Sequence, residues 1–262
     1  MDLQLRGRRA LVTGSTAGIG LAIVEALARE GAAVIVNGRS QARVEEALGR
    51  LAGTGAELVG LTGDLGTAAG VDEAIAHHPD LDILVNNLGI FEPKPFEAIP
   101  DQDWQRFIEV NFMSGVRMCR HYLPRMKERG WGRIIFISSE SGVNIPVEMI
   151  HYGVTKTMQI ALARGLAETC TGTAVTVNSV LPGPTRSEGV IQFVADLAAQ
   201  QGVDTAQVER DFFATARPSS LLQRFAEPAE VASLVAYLAS PLASATNGAA
   251  VRADGGVVRS IL

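Results

Sequence analysis

The sequence predicts an α/β protein: a single domain with a doubly wound parallel sheet of about seven strands, helices on both faces and a small helical lid. Three observations carry this expectation. Short apolar runs alternate with longer amphipathic stretches between residues 9 and 253, the order that yields parallel strands joined by crossover helices. The first run breaks at a glycine-rich turn that opens directly into a helix pattern. The 262 residues are 47% hydrophobic and 19% charged, and 27 are glycine, which suits one large core with many tight turns rather than disorder.

Residues 9–13 (RALVT) form the first buried strand and residues 19–29 (IGLAIVEALAR) the helix after it. The turn between them runs Thr13-Gly-Ser-Thr-Ala-Gly-Ile-Gly20. Gly14 permits a tight exit from the strand, Gly18 lets backbone approach a pyrophosphate, and Gly20 lets the helix lie close on the sheet. Ser15, Thr16 and Ile19 complete the turn, and the helix start offers unpaired N–H groups to anionic oxygens. In this setting the turn is read as a Rossmann-type dinucleotide site, with a purely structural turn as the alternative. Residues 33–37 (AVIVN) are the second strand, followed by a helix over 41–51. The residue closing that strand is expected to meet the adenosine ribose, where a carboxylate would bond the 2′-hydroxyl and repel a 2′-phosphate. Asn37 stands there, with Gly38 and Arg39 after it, which favours NADP(H) over NAD(H) unless Arg39 points to solvent. Residues 57–61 (ELVGL) are the third strand; Asp64 and Leu65 follow, placed to meet the adenine edge, although a helix N-cap role for Asp64 competes. Residues 81–85 (LDILV) are the fourth strand and run into Asn86-Asn87-Leu88-Gly89, where Asn87 and Gly89 border the cofactor crevice.

The amphipathic pattern over residues 101–129, with Trp104, Phe107, Ile108, Val110, Met113, Val116, Leu123 and Met126, predicts one long helix. Residues 133–138 (RIIFIS) form a strand that ends beside Ser139, and a second long helix is expected over about 150–170. On that helix the i, i+4 spacing places Tyr152 and Lys156 on one face. A cation there is expected to lower the phenol's pKa towards the working range, making Tyr152 a proton shuttle and Ser139 an anchor for a substrate oxygen. Residues 174–180 (AVTVNSV) deliver Pro182, Gly183, Pro184 and Thr185 to the edge of the sheet, Thr185 being placed to bond a nicotinamide amide or a phosphate. Residues 187–222 hold two helix-like pieces in the position of a lid over substrate, a fixed surface helix being the alternative. A helix over 228–238 and a strand over 249–253 close the chain.

Together these motifs resemble the short-chain dehydrogenase/reductase family over nearly the whole chain, including its 3-oxoacyl-[acyl-carrier-protein] reductases. TGSTAGIG is similar to the family's TGxxxGxG, NNLG to NNAG, Asn111 to its helix asparagine, Ser139 to its serine, YGVTK to YxxxK and PGPT to its PG turn. Leu88 departs from the usual alanine and RADGG from VDGG. The resemblance implies that Tyr152 is the general acid/base and that Lys156 binds the nicotinamide ribose while lowering the tyrosine pKa. It implies that Ser139 holds the carbonyl or alkoxide oxygen and that Asn111 anchors a water linking Lys156 to solvent. It also implies that the two long helices pair with their counterparts in a homotetramer or homodimer.

The formal charge of -5 speaks against an electrostatic nucleic-acid footprint. No apolar run has the length of a signal peptide or a membrane span, and Cys119 and Cys170 have no metal or disulfide spacing, so a soluble cytoplasmic protein with free thiols is expected. His77, His78, His121 and His151 show no metal spacing and are read as solvated or half-packed, with His151 able to line a pocket mouth. The expected reaction moves a hydride between nicotinamide and a carbonyl or secondary alcohol, without metal. Candidate pocket walls, Leu88, Phe91, Val143, Ile145, Met149, Pro184, Ile191 and Phe193, suggest a medium-sized aliphatic or ring carbonyl, a 3-oxoacyl thioester first and a small alcohol, sugar or steroid-like substrate next. A nucleotide-sensing protein or a methyltransferase would have no need of Tyr152, Lys156, Ser139 and Asn111 together.

Overall fold

A computed structural model describes residues 1–261 of the chain. In chain order its main elements are β1 (Arg9–Val12), α1 (Gly18–Arg29), β2 (Ala33–Gly38), α2 (Gln41–Leu51), β3 (Leu58–Thr62), α3 (Ala68–His77), β4 (Ile83–Asn86) and α4 (Asp101–Ile108). There follow α5 (Ser114–Glu128), β5 (Gly132–Ile137), α6 (Ile150–Glu168), β6 (Val175–Pro182), α7 (Glu188–Gln201), α8 (Thr205–Thr215), α9 (Pro228–Ala239) and β7 (Ala250–Ala253). The strands form one sheet in the order β3-β2-β1-β4-β5-β6-β7, and every pairing is parallel.

Side chains alternate across this sheet, and each face has its own core. Ala10, Val12, Val34, Val36, Ile83 and Val85 join the layer formed with α1 and α9, whereas Leu11, Ile35, Leu84, Ile134 and Phe136 join the layer formed with α3, α5 and α6. Burial on both faces explains why the strands read as unbroken apolar runs. The chain leaves β1 towards one edge and returns at β4 towards the other. The crevice above the carboxyl ends of β1 and β4 is therefore the switch point where such sheets hold ligands.

Helix α3 has little apolar periodicity, because only Val71 and Ala74 are buried. Thr67 caps it by accepting the Gly70 N–H at 3.1 Å, so Asp64 is not its N-cap. The single helix expected over 101–129 is interrupted by a π-helical turn at Glu109–Met113. That wider turn frees a backbone carbonyl, and the freed group lies in the site.

Candidate active site

Residues that follow the ends of four strands, β1, β4, β5 and β6, converge on one cavity of about 780 Å³. Ile19, Asn87, Gly89, Ser139, Tyr152, Lys156, Pro182, Gly183 and Thr185 all line it. The rest of the glycine turn, Asn37, Arg39, Asp64, Leu65 and Asn111 are not part of its wall.

The turn after β1 is built as an anion cradle. Gly14 and Gly18 adopt φ of +60° and +55°, which L side chains rarely take. A Cβ on Gly20 would come within 2.7 Å of the Gly14 carbonyl and 2.8 Å of Ser15 Cα, so the helix sits as close as glycine allows. Ala17 at the head of α1 supplies no side-chain cap, leaving the helix's first N–H groups to a ligand. These features fit a dinucleotide pyrophosphate. Ser15 is buried and braces the turn, its hydroxyl donating to the Val12 carbonyl at 2.7 Å. Asn87 donates to the Thr13 and Gly14 carbonyls, both at 2.9 Å, tying β4 to the turn.

Asn37 differs from its expected place at the ribose. It is buried; its amide oxygen accepts the Gly14 N–H at 2.9 Å and its amide nitrogen donates to the carbonyls of Leu61 and Gly63 at 3.1 and 3.2 Å. Its polar atoms are spent holding three backbone segments together. Gly38 closes β2 and Arg39 is exposed beyond it, so no carboxylate stands at the strand end. Asp64 is exposed and accepts the Gly66 N–H at 3.0 Å, while Leu65 is buried. Leu88 meets the glycine turn, 3.2 Å from where a Gly14 Cβ would stand, and joins the second core layer rather than the cavity wall.

Tyr152 and Lys156 share one face of α6, with the ammonium 5.6 Å from the phenol ring centroid. Lys156 is buried, and its Nζ donates to the Ile137 carbonyl at 2.9 Å and to Gln159 Oε1 at 3.3 Å. With no carboxylate beside it, burial pushes the amine down to about 7. Ser138 pins the helix to the sheet by donating to the Lys156 carbonyl at 2.8 Å. The Ser139 side chain favours the Tyr152 phenolate, and Arg217 acts in the same sense. Burial is the larger influence and, helped by Glu140, holds the phenol up at about 12. The expected lowering by Lys156 is therefore not seen, because that amine turns to Ile137 and Gln159 and is itself partly discharged by burial.

Asn111 sits in the π-turn. Its side chain clamps the Ile90 backbone, accepting from its N–H at 2.8 Å and donating to its carbonyl at 3.0 Å, and also donates to Thr155 Oγ1 at 3.0 Å. The Asn111 carbonyl accepts Gln159 Nε2, so Asn111 reaches Lys156 through a side chain that the sequence reading passed over. The i, i+3 spacing from Lys156 was the signal for Gln159. Thr185 is buried and donates to the Gly183 carbonyl at 2.9 Å.

Among the expected walls, Phe91, Met149, Pro184 and Phe193 line the cavity. Val143 and Ile145, between the 3-10 turns at 140–142 and 147–149, and Ile191, on α7, are exposed outside it. Val190, Val194, Leu197, Val208, Phe212 and Phe225 complete the wall from α7, α8 and the strand-like segment after them. A buried ion pair was also missed: Arg217 Nε donates to Glu140 Oε1 at 2.9 Å. Nothing in the local pattern joins residues so distant in sequence. His151 is fully buried against Phe107, with ring centroids 4.0 Å apart, and is not at the pocket mouth. His78 is also buried, and its Nδ1 lies 3.0 Å from Arg9 Nη2. Among the described residues no cluster of His, Cys, Asp and Glu could hold a metal, and no helix is long and apolar enough to cross a membrane.

A profile described as short chain dehydrogenase matches residues 8–198. The uncharacterized oxidoreductase YvaG of Bacillus subtilis is 51% identical over 263 residues, spanning all of both chains. D-beta-hydroxybutyrate dehydrogenase of Cupriavidus necator is 34% identical, with 97% of this chain and 99% of that protein covered. L-sorbose reductase from Gluconobacter frateurii, solved in complex with NADPH and L-sorbose, superimposes with a TM-score of 0.94 at 31% identity over the whole of both chains. With the parallel sheet and the cavity at its switch point already in place, these similarities are decisive: the chain belongs to the short-chain dehydrogenase/reductase family of NAD(P)-dependent oxidoreductases.

Proposed function

We propose that this protein is an NADP(H)-dependent oxidoreductase that interconverts a ketone and a secondary alcohol. One observation carries this reading: Ser139, Tyr152 and Lys156 share the wall of a single cavity at the carboxyl edge of the sheet. The nicotinamide, when bound, supplies or accepts the hydride. Tyr152, a neutral phenol at pH 7, gives the proton to the substrate oxygen in the reducing direction, and Ser139 holds that oxygen as charge develops. Lys156 would hold the nicotinamide ribose, and a water anchored at Asn111 would link it to solvent as the source of the proton that Tyr152 gives up. Gly14, Ser15, Thr16, Gly18, Ile19 and Gly20 shape the pyrophosphate cradle, with Asn37 bracing it. Asp64 and Leu65 face the adenine; Asn87, Gly89, Pro182, Gly183 and Thr185 hold the nicotinamide end. The preference for NADP(H) rests on exposed Arg39 and on the absence of a carboxylate at the end of β2.

The whole chain acts as one cofactor-binding domain, with residues 187–222 as its lid. Support for the lid comes from α7 and α8 having a small core of their own around Val194, Ala198, Val208, Phe213 and Phe225. The cavity's mostly apolar wall and its size suit a medium-sized ketone, such as a 3-oxoacyl thioester. A polar corner at Glu140, Glu148 and Arg217 supports a hydroxylated ketone as the second reading, as does the likeness to a reductase bound to L-sorbose. A cytoplasmic homotetramer or homodimer assembled through α4, α5 and α6 completes the proposal. The test is a panel of ketones and alcohols with NADPH and NADH in parallel, read at the nicotinamide absorbance. NADPH-dependent reduction is expected, with a 3-oxobutanoyl thioester among the substrates. An inert thioester would remove that substrate, and a fluorescence titration showing no nicotinamide binding would remove the whole reading.

A further inference from the structure

The charged residues of the cavity wall are Lys156, Arg217, Glu140, Glu148 and Asp211. Lys156 lies on the side of the catalytic tyrosine and is engaged by the Ile137 carbonyl and Gln159. Arg217 lines the same wall two residues after α8, near enough to act on the Tyr152 phenol. Its Nε donates to Glu140 Oε1 at 2.9 Å, and its Nη1 donates to Glu148 Oε1 at 3.1 Å and to the Ala216 carbonyl at 2.8 Å. Among the described residues its Nη2 makes no hydrogen bond, although Arg217 is only 7% exposed. Glu148 is half-exposed at the wall and keeps a second carboxylate oxygen.

One cation thus faces two carboxylates, with Asp211 adding a third at the rim. Burial raises the Glu140 carboxyl against the pull of Arg217. Counting Lys156 as well, the wall carries two cations against three carboxylates, so it is negative with Glu140 ionised and balanced with Glu140 neutral. A guanidinium that would otherwise capture a substrate carboxylate is already neutralised, and an incoming anion meets like charge in a confined, low-dielectric space. What the corner still offers is one donor, Nη2, and one acceptor, the free Glu148 oxygen. That pair suits a neutral hydroxyl or carbonyl oxygen.

We propose that the Glu140–Arg217–Glu148 cluster is a charge-selective subsite that admits neutral oxo compounds and refuses carboxylates. The inference rests on the cavity being the substrate site. It narrows the substrate to a neutral ester, thioester or polyhydroxylated ketone, and excludes 3-oxo acids.

The test uses two probes with the same reacting carbonyl, methyl 3-oxobutanoate and 3-oxobutanoate, assayed with the whole enzyme and NADPH. The ester should be reduced at least about 30-fold more efficiently in kcat/KM, and the gap should narrow as salt screens the wall. Glu148→Gln removes one charge from a half-exposed position and should raise the acid-to-ester ratio about tenfold. Arg217→Met, checked for folding by thermal melting, should instead lower that ratio below the wild-type value. Saturation-transfer NMR on the protein without cofactor should detect the ester and not the acid. Equal efficiency on both probes, or an acid-to-ester ratio unmoved by Glu148→Gln, would overturn the inference while leaving the oxidoreductase reading intact. Turnover of neither probe, nor of any ketone in a wider panel, would overturn both.

Discussion

Replacing Asn37 by aspartate is the obvious substitution for turning an NADP(H) site towards NAD(H), and the structure predicts that it will damage the fold instead. The Asn37 amide nitrogen donates to the carbonyls of Leu61 and Gly63, and its oxygen accepts the Gly14 N–H. Aspartate keeps the acceptor but sets a buried carboxylate oxygen against two carbonyl oxygens. Each lost donor costs about 1 kcal/mol and the uncompensated charge adds more, giving roughly 3–5 kcal/mol in all. For a chain of this size that corresponds to a melting temperature lower by roughly 6–20 °C. Arg39→Ala is the contrast. Its exposed side chain should leave the melting temperature within about 2 °C while raising the KM for NADPH relative to NADH. Thermal denaturation followed by circular dichroism, with steady-state kinetics on both cofactors, reads the outcome. An Asn37→Asp protein that melts with the wild type and prefers NADH would refute the role given to Asn37.

Two further predictions concern buried bases. The Lys156 amine sits at about 7 in the folded protein, against an ordinary 10.5. Between those values the unfolded chain holds a proton that the folded one lacks, so stability should rise with pH across this window. Lys156→Met should therefore be inactive yet melt roughly 4–8 °C above the wild type at pH 7, about 2 kcal/mol, with the gap closing towards pH 10. A variant less stable than the wild type at pH 7 would contradict this. His151 is fully buried, and among the described residues neither ring nitrogen has a hydrogen-bond partner; burial lowers its pKa below 6.5. Folding should then lose stability as pH falls below about 6.5, where the unfolded imidazole takes up a proton. His151→Phe should flatten that acid limb in pH-dependent melting, and an unchanged limb would rule His151 out as its source.

The parallel sheet and most helices were legible because each strand is buried on both faces and each main helix on one, which leaves apolar runs and amphipathic stretches in plain order. The Tyr152–Lys156 pair was legible because helical spacing alone places two residues on one face. Longer-range determinants left no such trace. The π-turn at Glu109–Met113 depends on Gln159 taking up the carbonyl it frees, and Arg217 meets Glu140 only because the chain returns from α8 over the cavity. Asn37 was placed in the right strand and given the wrong task, since its partners come from two other segments. The tyrosine's acidity was expected from its nearest cation. The fold counters this by burying both groups and turning that cation away.

The central claim is that the Tyr152 hydroxyl is the proton donor, and Tyr152→Phe tests it most directly because it removes one oxygen and keeps the ring. Carbonyl reduction should fall about 10²–10⁴-fold in kcat, while the NADPH dissociation constant measured by fluorescence stays within about threefold. A variant that keeps most of its turnover would show that the proton comes from elsewhere, and the mechanism drawn from this site would fail.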